Sequence, residues 1–138
     1  ELRENGVKMK MSAVKTIVQG KRVVLIDDSL VRGTTSRRIV KMLKEAGAKE
    51  VHLRIASPQI KRPCFYGVDI STYEELLCAH KSIEEVKELL GADSVAFLSE
   101  AALYEAGHRS ELCLACFTGN YPTYLCQSIE EANKDGKF

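Results

Sequence analysis

The chain has 138 residues, a net charge of +1 and 45% hydrophobic residues, which suits one compact domain with a packed core. This charge gives no electrostatic attraction to nucleic acid or to an anionic membrane. No apolar run approaches the length of a membrane span, and the N-terminus lacks the apolar segment of a signal peptide. We therefore expect a cytoplasmic protein with no nucleic-acid or membrane partner. Because the chain does not begin with Met, we also expect it to be part of a longer protein.

The first half of the chain has the pattern of a β-α-β unit. After polar residues 1–20, in which 13–18 are expected to form a short turn or strand, Arg22 to Ile26 is apolar and rich in β-branched residues. Such a run predicts a strand buried on both faces, as in a parallel sheet. A helical pattern starts at Thr35 and stops at Gly47, with an apolar face of Ile39, Val40, Met42, Leu43 and Ala46. The alternation of Val51, Leu53 and Ile55 then predicts a second, parallel strand.

The second half continues this alternation with shorter elements. Residues 57–69 contain two prolines and predict a loop. A capping-box pair predicts a helix from Ser71 to about Cys78. A second pair predicts a helix that starts at Ser82 and ends at Gly91. A third strand is expected at 94–98 and a helix from Ser99 to about Ala106. Residues 113–122 are expected to form a loop, and the spacing of Ser128 and Glu131 suggests the cap of a short last helix.

The junction after the first predicted strand carries the strongest functional signal. Asp27 and Asp28 stand at a strand's carboxyl end, where ligands bind in open α/β sheets. Adjacent carboxylates there can accept hydrogen bonds from vicinal ribose hydroxyls and can help to hold a divalent cation. Just downstream, Gly33 permits close backbone approach, and a helix N-terminus favours phosphate. Hydroxyl donors follow at Thr34, Thr35 and Ser36.

Either half of this pattern alone has an ordinary structural explanation. Asp28 or Ser29 could simply end a strand, and Thr35 or Ser36 could simply cap a helix. A double Asp directly after buried apolar residues, followed by a glycine and hydroxyl loop and then a helix, is much more specific. The combination predicts a ribose site and a phosphate site a few residues apart.

Residues 23–36, VVLIDDSLVRGTTS, resemble the phosphoribosyl-pyrophosphate fingerprint of type I phosphoribosyltransferases. The variant DDSLVRGTTS is similar to that of the glutamine phosphoribosylpyrophosphate amidotransferase family, and the similarity extends along nearly the whole chain before Thr123. It includes Lys8–Ala13, Pro63–Asp69, Gly91–Ser94 and Cys113–Pro122. The resemblance implies the partial Rossmann-like α/β parallel sheet of the type I phosphoribosyltransferase fold, with a C-terminal cysteine loop and a short helix.

The resemblance assigns roles to individual residues. Asp27 and Asp28 would bind the ribose hydroxyls and influence Mg²⁺. Ser29 and the segment Arg32, Gly33, Thr34, Thr35 and Ser36 would hold the substrate, the latter segment at its 5′-phosphate. Lys10 would help to neutralise pyrophosphate when a flexible loop closes; without the resemblance, a solvated charged loop would be the better interpretation of that lysine. Residues 1–20 would be the end of this loop, 21–107 the C-terminal half of the domain and 108–138 a cysteine-containing segment.

The five cysteines form the second chemical pattern. Cys113 and Cys116 are spaced to share one metal centre, and Cys64 lies in the proline-containing loop. On the residues alone, an iron–sulfur cluster and a zinc site that includes His80 or His108 fit equally well. The resemblance favours a 4Fe–4S cluster with Cys64, Cys113 and Cys116 as ligands and a fourth cysteine upstream of Glu1. We expect Cys78 to be a core residue, Cys126 to be free and inert, and His52 and His80 to be structural.

The family forms 5-phosphoribosylamine from phosphoribosyl pyrophosphate, glutamine and water, in the first committed step of de novo purine synthesis. The resemblance implies an N-terminal glutaminase domain in the same enzyme, a homo-oligomer, and purine nucleotides as inhibitors. Neither the glutaminase segment nor the first half of the sheet is in this chain, so we expect it to be the enzyme's C-terminal part and inactive alone. The alternatives are a base-salvage phosphoribosyltransferase, a non-catalytic sensor of phosphoribosyl pyrophosphate or nucleotide, and a metal-binding interaction module.

Overall fold

A three-stranded parallel sheet organises the chain. The structure is a computed structural model that describes residues 15–70, 72–109, 111–124, 126, 128–129 and 131. The strands are β1 (Arg22–Asp27), β2 (Glu50–Ile55) and β3 (Ser94–Phe97), in the spatial order β1-β2-β3. Val23 is in register with Val51, and Leu53 with Val95. All three strands lie where the sequence predicts them, which confirms the parallel α/β architecture.

Helices connect the strands and follow the sheet. They are α1 (Thr34–Glu45), α2 (Leu77–His80), α3 (Ile83–Leu90), α4 (Glu100–Gly107) and α5 (Ala115–Thr118), and a 3₁₀ helix spans Tyr73–Glu75. The capping box that opens α3 is present, because Ser82 N–H donates to Glu85 Oε2 (2.8 Å) and Glu85 N–H donates to Ser82 Oγ (3.3 Å). Ser99 caps α4 in a similar way by accepting from Ala102 N–H.

One face of the sheet builds the main core. Val51 and Leu53 of β2 are completely buried, and α1 and α3 cover them with Val40, Val86 and Leu90. The opposite face corrects an expectation, since β1 is not buried on both faces. Val24 is 60% exposed and Ile26 is 73% exposed. Here β1 is the outer strand, and α1 and α3 pack against the other face.

Four other local expectations are wrong. Residues 15–18 are helical rather than a strand. The helix expected up to Cys78 is divided into the 3₁₀ helix and α2, and Thr72 is the N-cap of the 3₁₀ helix without a side-chain cap. Ser71, the expected cap, lies outside the described residues. The predicted loop 113–122 contains α5. Ser128 lies inside a helical segment, where its hydroxyl donates to the Tyr124 carbonyl one turn earlier, so it is not a cap.

Two segments that are distant in sequence, around residues 61–63 and 116–121, are joined by hydrogen bonds. The N–H groups of Lys61 and Arg62 both donate to the carbonyl of Cys116 at 3.0 Å. The buried Tyr121 hydroxyl donates to the Pro63 carbonyl at 2.7 Å. These bonds hold the cysteine-containing loops together. Within the described ranges, no helix is long and apolar enough to cross a bilayer.

Asp93 joins α1 to the start of β2 and provides a test of this fold. Its Oδ2 accepts from Lys44 Nζ (2.5 Å) and from Val51 N–H (2.6 Å), and these donors hold the pKa of Asp93 below its ordinary value. A carboxyl with a lowered folded-state pKa contributes stability above the unfolded pKa of about 3.9, and this contribution is lost as pH falls through the folded-state value.

We therefore expect Asp93→Asn to destabilise the protein by about 1 kcal/mol at neutral pH, a modest amount because water screens the partly exposed ion pair. The difference between wild type and variant should be constant from pH 7 to about pH 5 and should shrink below about pH 4. Urea unfolding across this pH range measures it. A difference that did not change with pH would contradict the assigned role of the ionised carboxylate.

Candidate functional site

A cavity of about 350 Å³ lies at the carboxyl end of β1. Residues 27–36 and Asp69 line it. The substrate-binding residues predicted from the sequence, apart from Lys10, therefore surround one space. Lys10 and the rest of the predicted closing loop before Lys15 lie outside the described residues. The assignment of Asp27, Asp28, Ser29 and Arg32 to Ser36 as ligand contacts stays a prediction.

Hydrogen bonds orient the acidic pair. Asp27 Oδ2 accepts from the Ser36 hydroxyl (3.0 Å), and Asp27 Oδ1 accepts from the Asp28 N–H (3.1 Å). The Ser29 hydroxyl donates to Asp28 Oδ1 (3.2 Å). Ser36 is 3% exposed, so its bond to Asp27 is a sheltered connection between the end of β1 and the first turn of α1. Ser36 thus orients a carboxylate, in addition to any contact that its oxygen makes with a ligand.

The loop leads into a helix N-terminus that is open to the cavity. Gly33 is the N-cap of α1, with φ 75°, and no side chain among the described residues caps it. The first N–H groups of a helix have no acceptor inside the helix and carry the positive end of its dipole. Thr34 and Thr35 are exposed in this turn. An anion placed here would meet backbone N–H groups, hydroxyls and a favourable dipole.

Only glycine fits at position 33. A φ of 75° is strained for other residues, and a Cβ atom there would lie 2.9 Å from Leu77 Cδ2 and 3.1 Å from Leu90 Cδ2. The loop backbone therefore rests directly on side chains of α2 and α3. Leu30, which is 1% exposed, anchors the preceding part of the loop in the same core. The hydrophobic core thus sets the height of the loop above the sheet.

Two acidic residues of this region were not predicted from the sequence as site residues. Asp69 lines the cavity from the loop after β2, and Glu75 lies 2.6 Å from Arg32 Nη2. Their charges, with the Glu75 hydrogen bond as the larger cause, raise the pKa of Arg32. Both acids are more than 30 residues from Arg32 in the chain, so local sequence patterns carry no signal of the contacts.

The three cysteines predicted as cluster ligands lie near one another. Cys64 and Cys116 pack beside the same small core of Ile60, Ile70 and Leu76. Burial is the main cause that raises the pKa of the Cys116 thiol, and the nearby Cys64 and Cys113 raise it further. Cys78 and Cys126 are buried elsewhere, and burial raises the pKa of Cys78 to about 11. These positions agree with the expectation that Cys78 is a core residue.

No described group of three or more His, Cys, Asp or Glu side chains is arranged to hold a metal ion. This holds for the three cysteines and for the acidic pair. His80 Nε2 donates a hydrogen bond to the Tyr73 carbonyl (2.8 Å), and His52 contacts Ser94 and Glu50 at 2.9 Å each. The zinc alternative with His80 or His108 therefore gains no support from the described residues.

Comparison with known proteins shows what the chain resembles. The sequence model of the phosphoribosyl transferase domain matches residues 3–70. The amidophosphoribosyltransferase of Bacillus subtilis (strain 168) is 58% identical over 132 residues, and that of Methanocaldococcus jannaschii is 56% identical over 121 residues. The chain is homologous to part of these amidophosphoribosyltransferases. These alignments cover 91% and 88% of this chain, but only 28% and 26% of the two relatives.

A solved structure confirms the fold. The chain superposes on the glutamine phosphoribosylpyrophosphate amidotransferase of B. subtilis, a structure complexed with ADP and GMP, with a TM-score of 0.76 and 55% sequence identity. The match covers 81% of this chain and 26% of that one. The sheet and helices of this chain therefore have the type I phosphoribosyltransferase fold.

The packing under Gly33 generates a matched pair of substitutions. Gly33→Ala adds a Cβ at positive φ and against Leu77, whereas Gly91→Ala adds one at φ 70° with no described heavy atom within 4 Å. We expect Gly91→Ala to cost about 1 kcal/mol of folding free energy from backbone strain alone. Gly33→Ala should cost roughly 1–3 kcal/mol more because of overpacking.

Urea unfolding of both variants measures these costs, and calorimetry with phosphoribosyl pyrophosphate measures binding. Only Gly33→Ala should weaken binding, because only that substitution lifts the loop. Equal costs for the two substitutions would contradict the close packing of the loop on the core.

Proposed function

We propose that the protein carrying this chain is an amidophosphoribosyltransferase. It forms 5-phosphoribosylamine from phosphoribosyl pyrophosphate, glutamine and water, in the first committed step of purine synthesis, and this chain supplies part of the phosphoribosyl-pyrophosphate site. The observation that carries the proposal is the cavity at the end of β1, where two adjacent carboxylates face an uncapped helix N-terminus within the described residues. The 58% identity to a curated amidophosphoribosyltransferase supports the same activity.

The acidic pair suits the ribose of this substrate. Asp28 is exposed, and only its Oδ1 is engaged by Ser29, so it has acceptor capacity for a ribose hydroxyl. Asp27 already accepts from Ser36 and from the Asp28 N–H, which fix its orientation without using all its lone pairs. Two fixed acceptors next to each other match the vicinal 2′ and 3′ hydroxyls.

The start of α1 suits the 5′-phosphate. The helix has 12 residues, so its dipole is well developed, and the N–H groups and hydroxyls of Thr34 and Thr35 lie in its first turn. The ribose and phosphate subsites are then separated only by the loop 28–33. This short separation fits a phosphoribosyl group, in which the 5′-phosphate is attached to the same sugar.

The reaction displaces pyrophosphate from C1 of the ribose by ammonia. A C–N bond forms as the C–O bond to pyrophosphate breaks, and the transition state has oxocarbenium character. The residues of this chain would hold the ribose and its 5′-phosphate so that C1 is fixed in place. Lys10, on the closing loop, would neutralise charge on the leaving pyrophosphate and help to exclude water.

Asp27 and Asp28 could supply some, but not all, of the ligands of a Mg²⁺ ion. Mg²⁺ is commonly bound by one or two carboxylates together with substrate phosphates, not by a complete protein cage. Asp27 and Asp28 would supply oxygen ligands, directly or through water, to a cation that arrives with the substrate. The bound ion would stabilise negative charge on the pyrophosphate leaving group.

We also propose that Cys64, Cys113 and Cys116 provide three thiolates for a 4Fe–4S cluster, with a fourth from another part of the protein. The nearness of the Cys64 and Cys113 thiols to Cys116 supports this proposal. The three thiols are not arranged to hold a metal ion as they stand, so they would have to move closer together to share one cluster. Bonds from the Lys61 and Arg62 N–H groups to the Cys116 carbonyl connect the segment just before Cys64 to the Cys116 segment. The cluster would have a structural or regulatory role.

The remaining parts of the proposal concern the whole enzyme. They are a glutaminase domain as the ammonia source, a homo-oligomeric assembly, and inhibition by purine nucleotides. The related B. subtilis structure contains ADP and GMP, which supports nucleotide inhibition. All five cysteines are free of disulfides, which supports a location in the reducing cytoplasm.

Calorimetry on the intact protein with phosphoribosyl pyrophosphate and Mg²⁺ tests the substrate site. We expect binding by the wild type, and we expect Asp28→Asn to weaken it by about 10-fold to 100-fold, the value of one or two lost hydrogen bonds to a charged acceptor. Glu105→Gln removes the same charge from an exposed position on α4 and is the control. Absence of binding by the wild type would refute the proposed function.

The cluster is tested by iron and sulfide analysis of protein purified without oxygen. The wild type should contain about four iron atoms per chain. Cys116→Ser should lose most of them, whereas Cys126→Ser, which changes a buried cysteine outside the ligand set, should retain them. Zinc in place of iron, or iron that survives the Cys116 substitution, would be evidence against the proposed ligands.

A further inference from the structure

Arg32 lines the cavity, and its guanidinium is paired with a residue outside the loop. Arg32 Nη2 lies 2.6 Å from Glu75 Oε2. The Arg32 side chain is 55% exposed and that of Glu75 is 35% exposed. An exposed arginine has many rotamers, and a carboxylate within hydrogen-bonding distance restricts them. Glu75 therefore selects where the positive charge of Arg32 lies.

Glu75 can do this because its own position is well anchored. It is the last residue of the 3₁₀ helix, and the next residue, Leu76, is completely buried. Leu76 N–H donates to the Tyr73 carbonyl at 3.0 Å, and Leu77 N–H donates to the Val31 carbonyl at 2.9 Å. The second bond connects the segment of Glu75 directly to the residue that precedes Arg32. The segment that carries Glu75 and the loop that carries Arg32 are thus fixed to each other.

The position of Arg32 matters because of the charges around the cavity. Among the described lining residues, Arg32 is the only basic one, and it stands with three acids, Asp27, Asp28 and Asp69. A phosphate near the loop is repelled by these carboxylates and attracted by Arg32. Asp69, which lines the cavity, also attracts Arg32, so the guanidinium lies in the field of two acids, Asp69 and Glu75.

We propose that Glu75 is a positioning residue for phosphate binding, which acts through Arg32. An arginine has five N–H donors in a rigid fork, and Glu75 contacts the Nη2 edge. The donors on Nη1 and Nε remain for the phosphate monoester of a phosphoribosyl ligand. The inference rests on the proposed function and assigns to the 73–77 segment a part in substrate affinity.

Glu75 has two opposing effects on a bound phosphate. By fixing Arg32 it strengthens the attraction, and by its own negative charge it weakens the attraction. The carboxylate is partly exposed, so water and salt screen its long-range repulsion. Glu75 orients Arg32, the only basic residue in the described lining, by a short-range contact, and this effect is screened less. We expect the positioning effect to dominate.

The test is a double-substitution cycle in the intact protein, with calorimetric Kd values for phosphoribosyl pyrophosphate and for ribose 5-phosphate in the presence of Mg²⁺. Glu75→Gln keeps the shape of the side chain and removes its charge. We expect the Kd values of both ligands to rise about five-fold, part of the value of a charge-assisted hydrogen bond. In an Arg32→Gln background, the same substitution should change Kd by less than about two-fold.

The control is Glu74→Gln, which removes an equal charge from the neighbouring, exposed position of the same 3₁₀ helix. It should leave Kd and activity at the wild-type values. Steady-state kinetics give an independent readout. Since the phosphate is bound alike in ground state and transition state, Glu75→Gln should raise KM for phosphoribosyl pyrophosphate and leave kcat unchanged. A purely structural role would instead lower the active fraction and therefore kcat.

Tighter binding after Glu75→Gln, or an equal change of Kd with and without Arg32, would overturn the proposal. If Glu75→Gln does not fold, Glu75→Asp keeps the charge but withdraws it by one methylene, and it should raise Kd by a smaller factor that also vanishes without Arg32. Wild-type protein that binds neither ligand would refute the proposed function itself. Normal wild-type binding with no effect of Glu75→Gln would refute the role of Glu75 alone.

Discussion

The hydrogen bond from Ser36 to Asp27 is the connection on which the candidate site depends. It joins the last residue of β1 to the first turn of α1 and closes the loop between them at its base. With the base closed, the loop has to project above the sheet's edge, and Leu30 and Gly33 determine how far. The acidic pair and the helix N-terminus then face the same cavity. Without this bond, Asp27 would be free to turn toward water.

Much of the fold could be predicted because its signals are local. The apolar run before Asp27, the alternation in β2 and the serine caps of α3 and α4 each specify an element within a few residues. The predictions failed where tertiary contacts decide. Leu76 must be buried, so the backbone between the 3₁₀ helix and α2 is extended there and divides the predicted helix.

The candidate site shows the same division between local and distant information. The ten consecutive residues 27–36 could be predicted to act together because one β-α junction brings them to one place. Asp69 and Glu75 reach this place through the path of the chain after β2, which no spacing rule encodes. The cysteines could be predicted in part. Their residue types suggested a shared centre, but the backbone bonds that join the segment before Cys64 to Cys116 were visible only in the folded chain.

The open face of the sheet has a practical consequence. Polar residues on this face bind one another, since Arg22 Nε lies 2.5 Å from Glu50 Oε2, which also contacts His52. The apolar side chains of Val24 and Ile26 are exposed to solvent and lie on the outer strand of the described sheet. An apolar stripe beside an unpaired strand edge is a template for aggregation. Produced by itself, the chain would be difficult to keep in concentrated solution, and Lys or Thr at positions 24 and 26 would be the first changes for improving its yield.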